Sequence, residues 1–125
     1  MEYIKTEKAP AALGPYSQAV GIEDFIFTSG QIGMSNEGIL AEGIEAQTKQ
    51  ALTNLSEILK KGQCSLQDVV KTTIFLANME DFSTINKIYA DFFGDHKPAR
   101  STIAVKELPL KALIEIEAVV LKTKI

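Results

Sequence analysis

The chain has 125 residues, with 13 Lys and Arg against 16 Asp and Glu and a net charge of −3. It therefore fits one domain with its own core and offers no basic surface to nucleic acid or an anionic membrane. One cysteine, Cys64, and one histidine, His96, exclude a disulfide framework and a Cys/His metal set, so no metal site is expected. Met1 leads into charged residues and no apolar run reaches membrane-spanning length, which gives the expectation of a cytoplasmic protein with a single domain over residues 1–125.

A short strand is predicted around Tyr3 to Thr6. The segment from Ala9 to Pro15 carries two prolines and a glycine and reads as loop, with Tyr16 directly after it. Ser17 to Ile22 and Phe25 to Gly33 read as antiparallel strands joined by a tight turn at Glu23-Asp24. Period two in the second strand puts Phe25, Phe27, Ser29 and Gln31 on one face and Ile26, Thr28, Gly30 and Ile32 on the other. Gly30 weakens a strand and marks close approach by another backbone or a ligand.

After the turn residues Ser35 to Gly38, a helix is predicted from Gly43 to about Lys61. Its buried stripe is Ile44, Ala51, Leu52, Leu55, Ile58 and Leu59, and Gly62 is expected to stop it as the left-handed residue. Ser65-Leu66-Gln67-Asp68 has the form of a capping box, and Val69 to Ala77 is an apolar, β-branched strand. Asn78 is expected to cap a second helix in which Phe82, Ile85, Ile88, Tyr89, Phe92 and Phe93 recur at threes and fours until Gly94. That spacing assigns the aromatic residues to the core. His96 reads as a surface residue or cap and Cys64 as an ordinary thiol. Strands from Arg100 to Lys106 and from Leu113 to Lys122, joined through Pro109, complete the chain.

This order gives two successive crossover units in one mixed sheet. Two helices cover only one face of about six strands, yet Val69-Val70, Ile74-Phe75-Leu76 and Val119-Val120-Leu121 are apolar toward both faces. The bare face predicts a homo-oligomer.

Arg100, at the mouth of a strand, supplies a rigid fork of donors that can grip a small carboxylate, and a glutamate across from it can orient or deprotonate a water. The plainer readings are that Arg100 pairs with a surface acid, that Glu115 pairs with a cation across an interface while Glu117 is solvated, and that Tyr16 and Ser29 are an interface aromatic and a strand hydroxyl.

Four segments carry a family likeness: Gly14-Pro15-Tyr16-Ser17-Gln18-Ala19, Thr28-Ser29-Gly30-Gln31-Ile32, Pro98-Ala99-Arg100-Ser101-Thr102 and Ile114-Glu115-Ile116-Glu117-Ala118. In order and spacing they resemble the RidA (YjgF) family over essentially the whole chain. The resemblance implies a chorismate mutase-like α+β fold, a mixed six-stranded sheet with two helices packed on one face. It also implies a homotrimer with intersubunit clefts and a last strand antiparallel to the one holding Ser29 and Gly30. The implied activity is that of a 2-iminobutanoate/2-iminopropanoate deaminase, which hydrolyses imines and enamines such as 2-aminoacrylate, released by pyridoxal-phosphate-dependent dehydratases, to 2-oxoacids and ammonia.

Carried over by position, Arg100 binds the substrate carboxylate, Glu115 orients water and shuttles protons, and Tyr16 assists. Ser29, the backbone at Gly30 and Thr102, and Asn86 line the cleft. The chain departs from the family pattern in the shorter spacing between Asn86 and Arg100 and in Thr102, where many members have cysteine, so no thiol role passes to it. Two alternatives stand beside this one: a non-catalytic 2-oxoacid-binding or regulatory module using the same Arg100 cleft, and the endoribonuclease or translation-inhibitor activity attached to some relatives. The second fits poorly with an acidic chain holding one histidine.

Overall fold

Two short apolar strands, Ala19–Ile22 (β2) and Phe25–Thr28 (β3), turn back on each other at Glu23-Asp24, where Glu23 takes a φ of 51°. Around this hairpin the computed structural model, which describes residues 1–122, adds five more strands. These are β1 (Glu2–Ile4), β4 (Gln31–Ile32), β5 (Val69–Leu76), β6 (Ala99–Ala104) and β7 (Ile114–Leu121). The helices are α1 (Gly43–Lys61) and α2 (Phe82–Phe93). No helix among the described residues is long and apolar enough to cross a membrane.

The sheet runs β1-β2-β3-β7-β5-β6, with β4 pairing on β7 beyond the end of β3. The path is six strands wide, as expected, because β3 and β4 together fill one position. β7 lies antiparallel to β3, β4 and β5, whereas β5 and β6 are parallel. The first crossover, β4–α1–β5, therefore straddles β7, and the second, β5–α2–β6, joins neighbours.

Both helices pack on one face. Along β7 the alternation is strict: Ile114, Ile116, Ala118 and Val120 are buried, while Glu115, Glu117, Val119 and Leu121 face the other way. The buried set meets Ala51, Leu52, Leu55, Ile58 and Leu59 of α1 and Ile85 and Phe93 of α2 in one cluster. Truncating any of these leucines or isoleucines to alanine costs about 2–5 kcal/mol. The opposite face carries Tyr3, Phe25, Phe27, Ile103 and Leu121 at 40–71% exposure.

The single strand predicted from Phe25 to Gly33 is broken. Phe27 pairs with Val119 and Gln31 with Ile116, so Thr28, Ser29 and Gly30 stand opposite only Ala118 and Glu117. One extra residue is a β-bulge, and it inverts the alternation beyond it. Gln31 consequently turns into the core on the same side as Ile26, contrary to strict period two. The bulge is held by side chain and loop: the Ala118 N–H donates to Thr28 Oγ1 at 2.9 Å, and the Ser29 N–H donates to the Gln18 carbonyl at 2.9 Å.

Three smaller expectations also shift. Gly62 does not adopt the left-handed stop, since its φ is −87°, and Gln63 takes that conformation at 65°. Glycine serves at 62 because a Cβ there would crowd Ile26 and Ile4 at 2.9 and 3.1 Å. Asn78 caps a 3-10 turn, Met79–Asp81, that leads into α2, its Oδ1 accepting from the Glu80 N–H at 2.8 Å. Phe82, placed in the core stripe by its spacing, is 37% exposed. Ser65 and Asp68 form the expected capping box.

Candidate active site

The loop before β2 is fixed by one buried amide. Gln18 accepts from the Thr6 N–H at 2.7 Å and donates to the carbonyls of Thr6 and Pro10 at 3.1 and 2.7 Å, so the proline-containing segment has a defined course despite lacking regular structure. That course delivers Tyr16, 54% exposed, whose hydroxyl oxygen accepts from the Leu13 N–H at 3.3 Å and keeps its own proton to donate. Ser29, in the bulge, donates its hydroxyl proton to the Ser17 carbonyl at 2.5 Å, which leaves its lone pairs as acceptors.

Glu115 lies across from Ile32, directly beyond the bulge. Its carboxyl rests over Gly30, where any Cβ would overlap it, which is why the position demands glycine even though its backbone is not left-handed. Burial removes water from the Glu115 carboxylate and Glu117 adds a like charge two residues on, so its pKa is raised above the ordinary glutamate value. Tyr16, Ser29, Gly30 and Glu115 together line the polar end of a cavity of about 470 Å³. Leu13 and Leu110 line its apolar side. Leu110 and Lys111 are left-handed non-glycine residues, with φ of 55° and 59°, in a strained turn of the kind found at binding sites.

Arg100 occupies the other side of the sheet. It pairs across β5–β6 with buried Thr72, and its side chain lies along α2. Nη2 donates to Asn86 Oδ1 at 2.7 Å, and the guanidinium carbon sits 4.9 Å from the Tyr89 ring centroid and 5.5 Å from that of Phe82. Burial raises the Tyr89 pKa, so the phenol stays neutral and presents its ring face to the cation while its hydroxyl bonds Thr72 at 2.7 Å. Thr102, two residues along β6 from Arg100, has a buried hydroxyl with no hydrogen-bond partner among the described residues.

The site residues expected from sequence thus form two groups. Tyr16, Ser29, Gly30 and Glu115 share the cavity, while Arg100, Asn86 and Thr102 cluster at the edge strand on the helix side. One chain does not bring Arg100 and Glu115 together. Leu13, Gln31 and Leu110, which also line the cavity, were not foreseen, and for Leu110 no residue-level signal existed because leucine carries no mark of a left-handed turn. Among the described residues no group of three His, Cys, Asp or Glu is placed to hold a metal ion.

The endoribonuclease L-PSP family model matches residues 6–122. Reactive Intermediate Deaminase A, chloroplastic, of Arabidopsis thaliana is 51% identical over 120 residues, which are 94% of this chain and 64% of that longer protein. The 2-iminobutanoate/2-iminopropanoate deaminase of Homo sapiens is 48% identical over 121 residues, 95% of this chain and 88% of that one. Among solved structures, E. coli TdcF with bound serine superposes with a TM-score of 0.95 at 35% identity, covering 98% of this chain and 100% of the other. With the match running from the loop that carries Tyr16 to the end of the strand that carries Glu115, the chain belongs to the RidA family, the family described by the endoribonuclease L-PSP model.

Proposed function

We propose that the chain hydrolyses small 2-imino acids and their enamine tautomers, such as 2-iminopropanoate, 2-iminobutanoate and 2-aminoacrylate, to 2-oxoacids and ammonia, in a cleft completed by a second copy of the chain. One observation carries the reading: a half-buried carboxyl of raised pKa sits in a cavity with a serine acceptor and a tyrosine donor, while Arg100 is displayed on the opposite face. The names of the Arabidopsis and human relatives support the same chemistry, and the serine bound to TdcF supports a site sized for a small amino-acid-like carboxylate.

In this reading Arg100 holds the substrate carboxylate by two charge-assisted bonds, with Asn86 and the rings of Tyr89 and Phe82 fixing the plane of the guanidinium. Glu115 takes a proton from water as the oxygen bonds to the imine carbon, and the C=N π pair moves to nitrogen. Glu115 returns that proton to the nitrogen to give the carbinolamine, then takes the carbinolamine hydroxyl proton and passes it to the same nitrogen. The O–H pair forms the C=O as the C–N bond breaks, and ammonia leaves a 2-oxoacid. A carboxyl whose pKa lies nearer the working pH serves both transfers. Ser29, its own proton engaged, accepts from the substrate N–H, and Tyr16 donates to the developing carbinolamine oxygen.

The apolar outer face and the separation of Arg100 from Glu115 support a ring in which the β6–α2 edge of one copy meets the cavity of the next. A homotrimer closes such a contact and repeats one cleft three times. Complementation tests this. Arg100→Ala and Glu115→Gln should each abolish accelerated loss of 2-iminopropanoate, read by semicarbazide trapping after a dehydratase reaction. Unfolded together and refolded as mixed oligomers, they should regain roughly a quarter of wild-type activity, because random assembly leaves about one cleft in four with both residues intact. No recovery from correctly assembled mixtures would refute the shared cleft. Affinity for 2-oxoacids without any rate enhancement in the wild type would favour the binding module, and RNA cleavage lost on Glu115→Gln would favour the nuclease.

A further inference from the structure

Three of the buried polar side chains, Gln18, Gln47 and Asn54, are amides that bond main-chain groups outside the helices; Asn54 Oδ1 also accepts from Gln50 Nε2 at 2.8 Å. Gln18 orders the Tyr16 loop. The other two lie on α1: Asn54 reaches β4, which pairs with Glu115, and Gln47 reaches the residue just before β7, the strand that carries Glu115. Asn54 Nδ2 donates to the carbonyls of Ile32 and Met34 at 3.2 and 2.9 Å, and Ile32 is the register partner of Glu115. Gln47 Oε1 accepts from the Leu113 N–H at 2.8 Å, two residues before Glu115, while its Nε2 donates to the Ala41 carbonyl at 2.9 Å. Gly33 abuts the main chain of Gln47 so closely that a Cβ there would overlap it, and its carbonyl accepts from the Ala41 N–H at 2.9 Å.

The Leu113 contact matters because of what precedes it. Pro109 to Lys111 form the turn with two left-handed non-glycine residues, one of them cavity-lining Leu110. Such a conformation persists only when its surroundings over-determine it. The bonds that do so are Lys111 N–H to the Leu108 carbonyl at 3.1 Å, Ala112 N–H to the Pro109 carbonyl at 3.0 Å, and Leu113 N–H to Gln47. The first two are internal to the turn; the Leu113 carbonyl also accepts from the Ala77 N–H at 3.0 Å, just past β5, and among the described residues the bond that ties the segment to a helix is the one to Gln47.

We propose that Gln47 is a positioning residue for imine hydrolysis: through Leu113 it sets the start of β7, and with it the placement of Glu115 and the Leu110 wall of the cavity. The inference rests on the hydrolytic reading of Glu115 given above. Gln47 does not line the cavity and acts only through the main chain.

Gln47→Met keeps the side chain's length and burial and removes both hydrogen bonds. It should lower kcat roughly 10- to 100-fold, the loss expected when a reacting group is misplaced by about an ångström, while KM for the same imine changes by less than about threefold, because Arg100 is untouched. The acid limb of its pH–rate profile should also move, since Glu115 no longer sits in the same burial. Leu59→Ala, at the far end of α1, is the control for mere destabilisation and should keep wild-type kcat and pH profile below its own melting temperature. Wild-type kcat and pH profile in Gln47→Met, or an equal kcat loss in Leu59→Ala, would overturn the proposal. Absence of rate enhancement in the wild type would instead remove the hydrolytic reading on which it rests, so the two failures are distinguishable.

Discussion

A methyl group placed on Gly30 would occupy the space that the Glu115 carboxyl fills. Gly30→Ala is therefore a substitution whose cost falls on the chemistry and not on the fold. The backbone φ at Gly30 lies outside the left-handed region, so alanine adds no backbone strain and gains about 0.4–1 kcal/mol by restricting the unfolded chain. The obstacle is the far end of a flexible side chain, which escapes by rotating at a cost of about 0.5–1.5 kcal/mol if it leaves its rotamer. These offset to within about 1 kcal/mol, a shift of no more than about 5 °C in melting temperature. Swinging the carboxyl away removes the proton acceptor, and kcat should fall about 10²- to 10⁴-fold. Gly33→Ala is the contrast, because there the new methyl meets the main chain of Gln47, which cannot rotate aside, and overpacking costs about 1–3 kcal/mol. The assay pairs thermal unfolding with imine trapping on each variant. Full activity in Gly30→Ala, or a melting point lowered as far as in Gly33→Ala, would refute the reasoning.

Arg100→Lys keeps the charge but loses the planar fork that bonds Asn86 and lies against Tyr89 and Phe82, so kcat/KM should drop at least tenfold, a difference of about 1.4 kcal/mol, mostly through KM. The raised pKa of Glu115, caused by burial and then by Glu117, means the folded state holds its proton more tightly than the unfolded chain does. Stability from this group is therefore highest at low pH and falls as pH rises from the unfolded value through the folded one. Glu115→Gln should accordingly raise the melting temperature at neutral pH, an advantage that shrinks as the pH is lowered through the folded pKa, and an unchanged melting temperature at neutral pH would argue against the burial. Glu117→Gln removes the second cause of the shift, so the acid limb of the rate profile should move to lower pH while the enzyme stays active. An unmoved limb would show that Glu117 does not act on Glu115.

Periodicity made most of the fold legible. Gly43 to Lys61 is read as a helix from its stripe and found with those bounds, and the order of strands and helices follows from composition and turn residues. The strand register was not legible, since pairing of β7 with β3 and β4 joins residues some 90 apart in sequence, as in the bond from Ala118 to Thr28, and its pairing with β5 spans about half that. The bulge at Ser29-Gly30 was invisible for a related reason. Gly30 signals a close approach, but only the partner strand reveals that three residues stand opposite two. Gln47, an amide in a helix stripe read from its leucines, is likewise a polar residue whose role depends on main-chain groups supplied by other segments.

The candidate site divides at that same boundary between local pattern and long-range pairing. Alternation fixes which residues of one strand share a face, but not which face of the sheet that is. In β6 the pattern even points the wrong way: Ile103 stands on the outer face at 47% exposure, and Arg100 and Thr102 lie on the helix-covered side. A lone chain gives no reason to expose the isoleucine, or to leave the Thr102 hydroxyl buried without a partner among the described residues. The exposed isoleucine becomes ordinary if another copy covers the outer face, because Ile103 then joins Phe25, Phe27 and Leu121 in a contact. The same packing would set the guanidinium of one copy against the Glu115 cavity of the next. The inverted polarity of one edge strand and the separation of clamp from carboxyl thus have a common physical explanation in the oligomer proposed above.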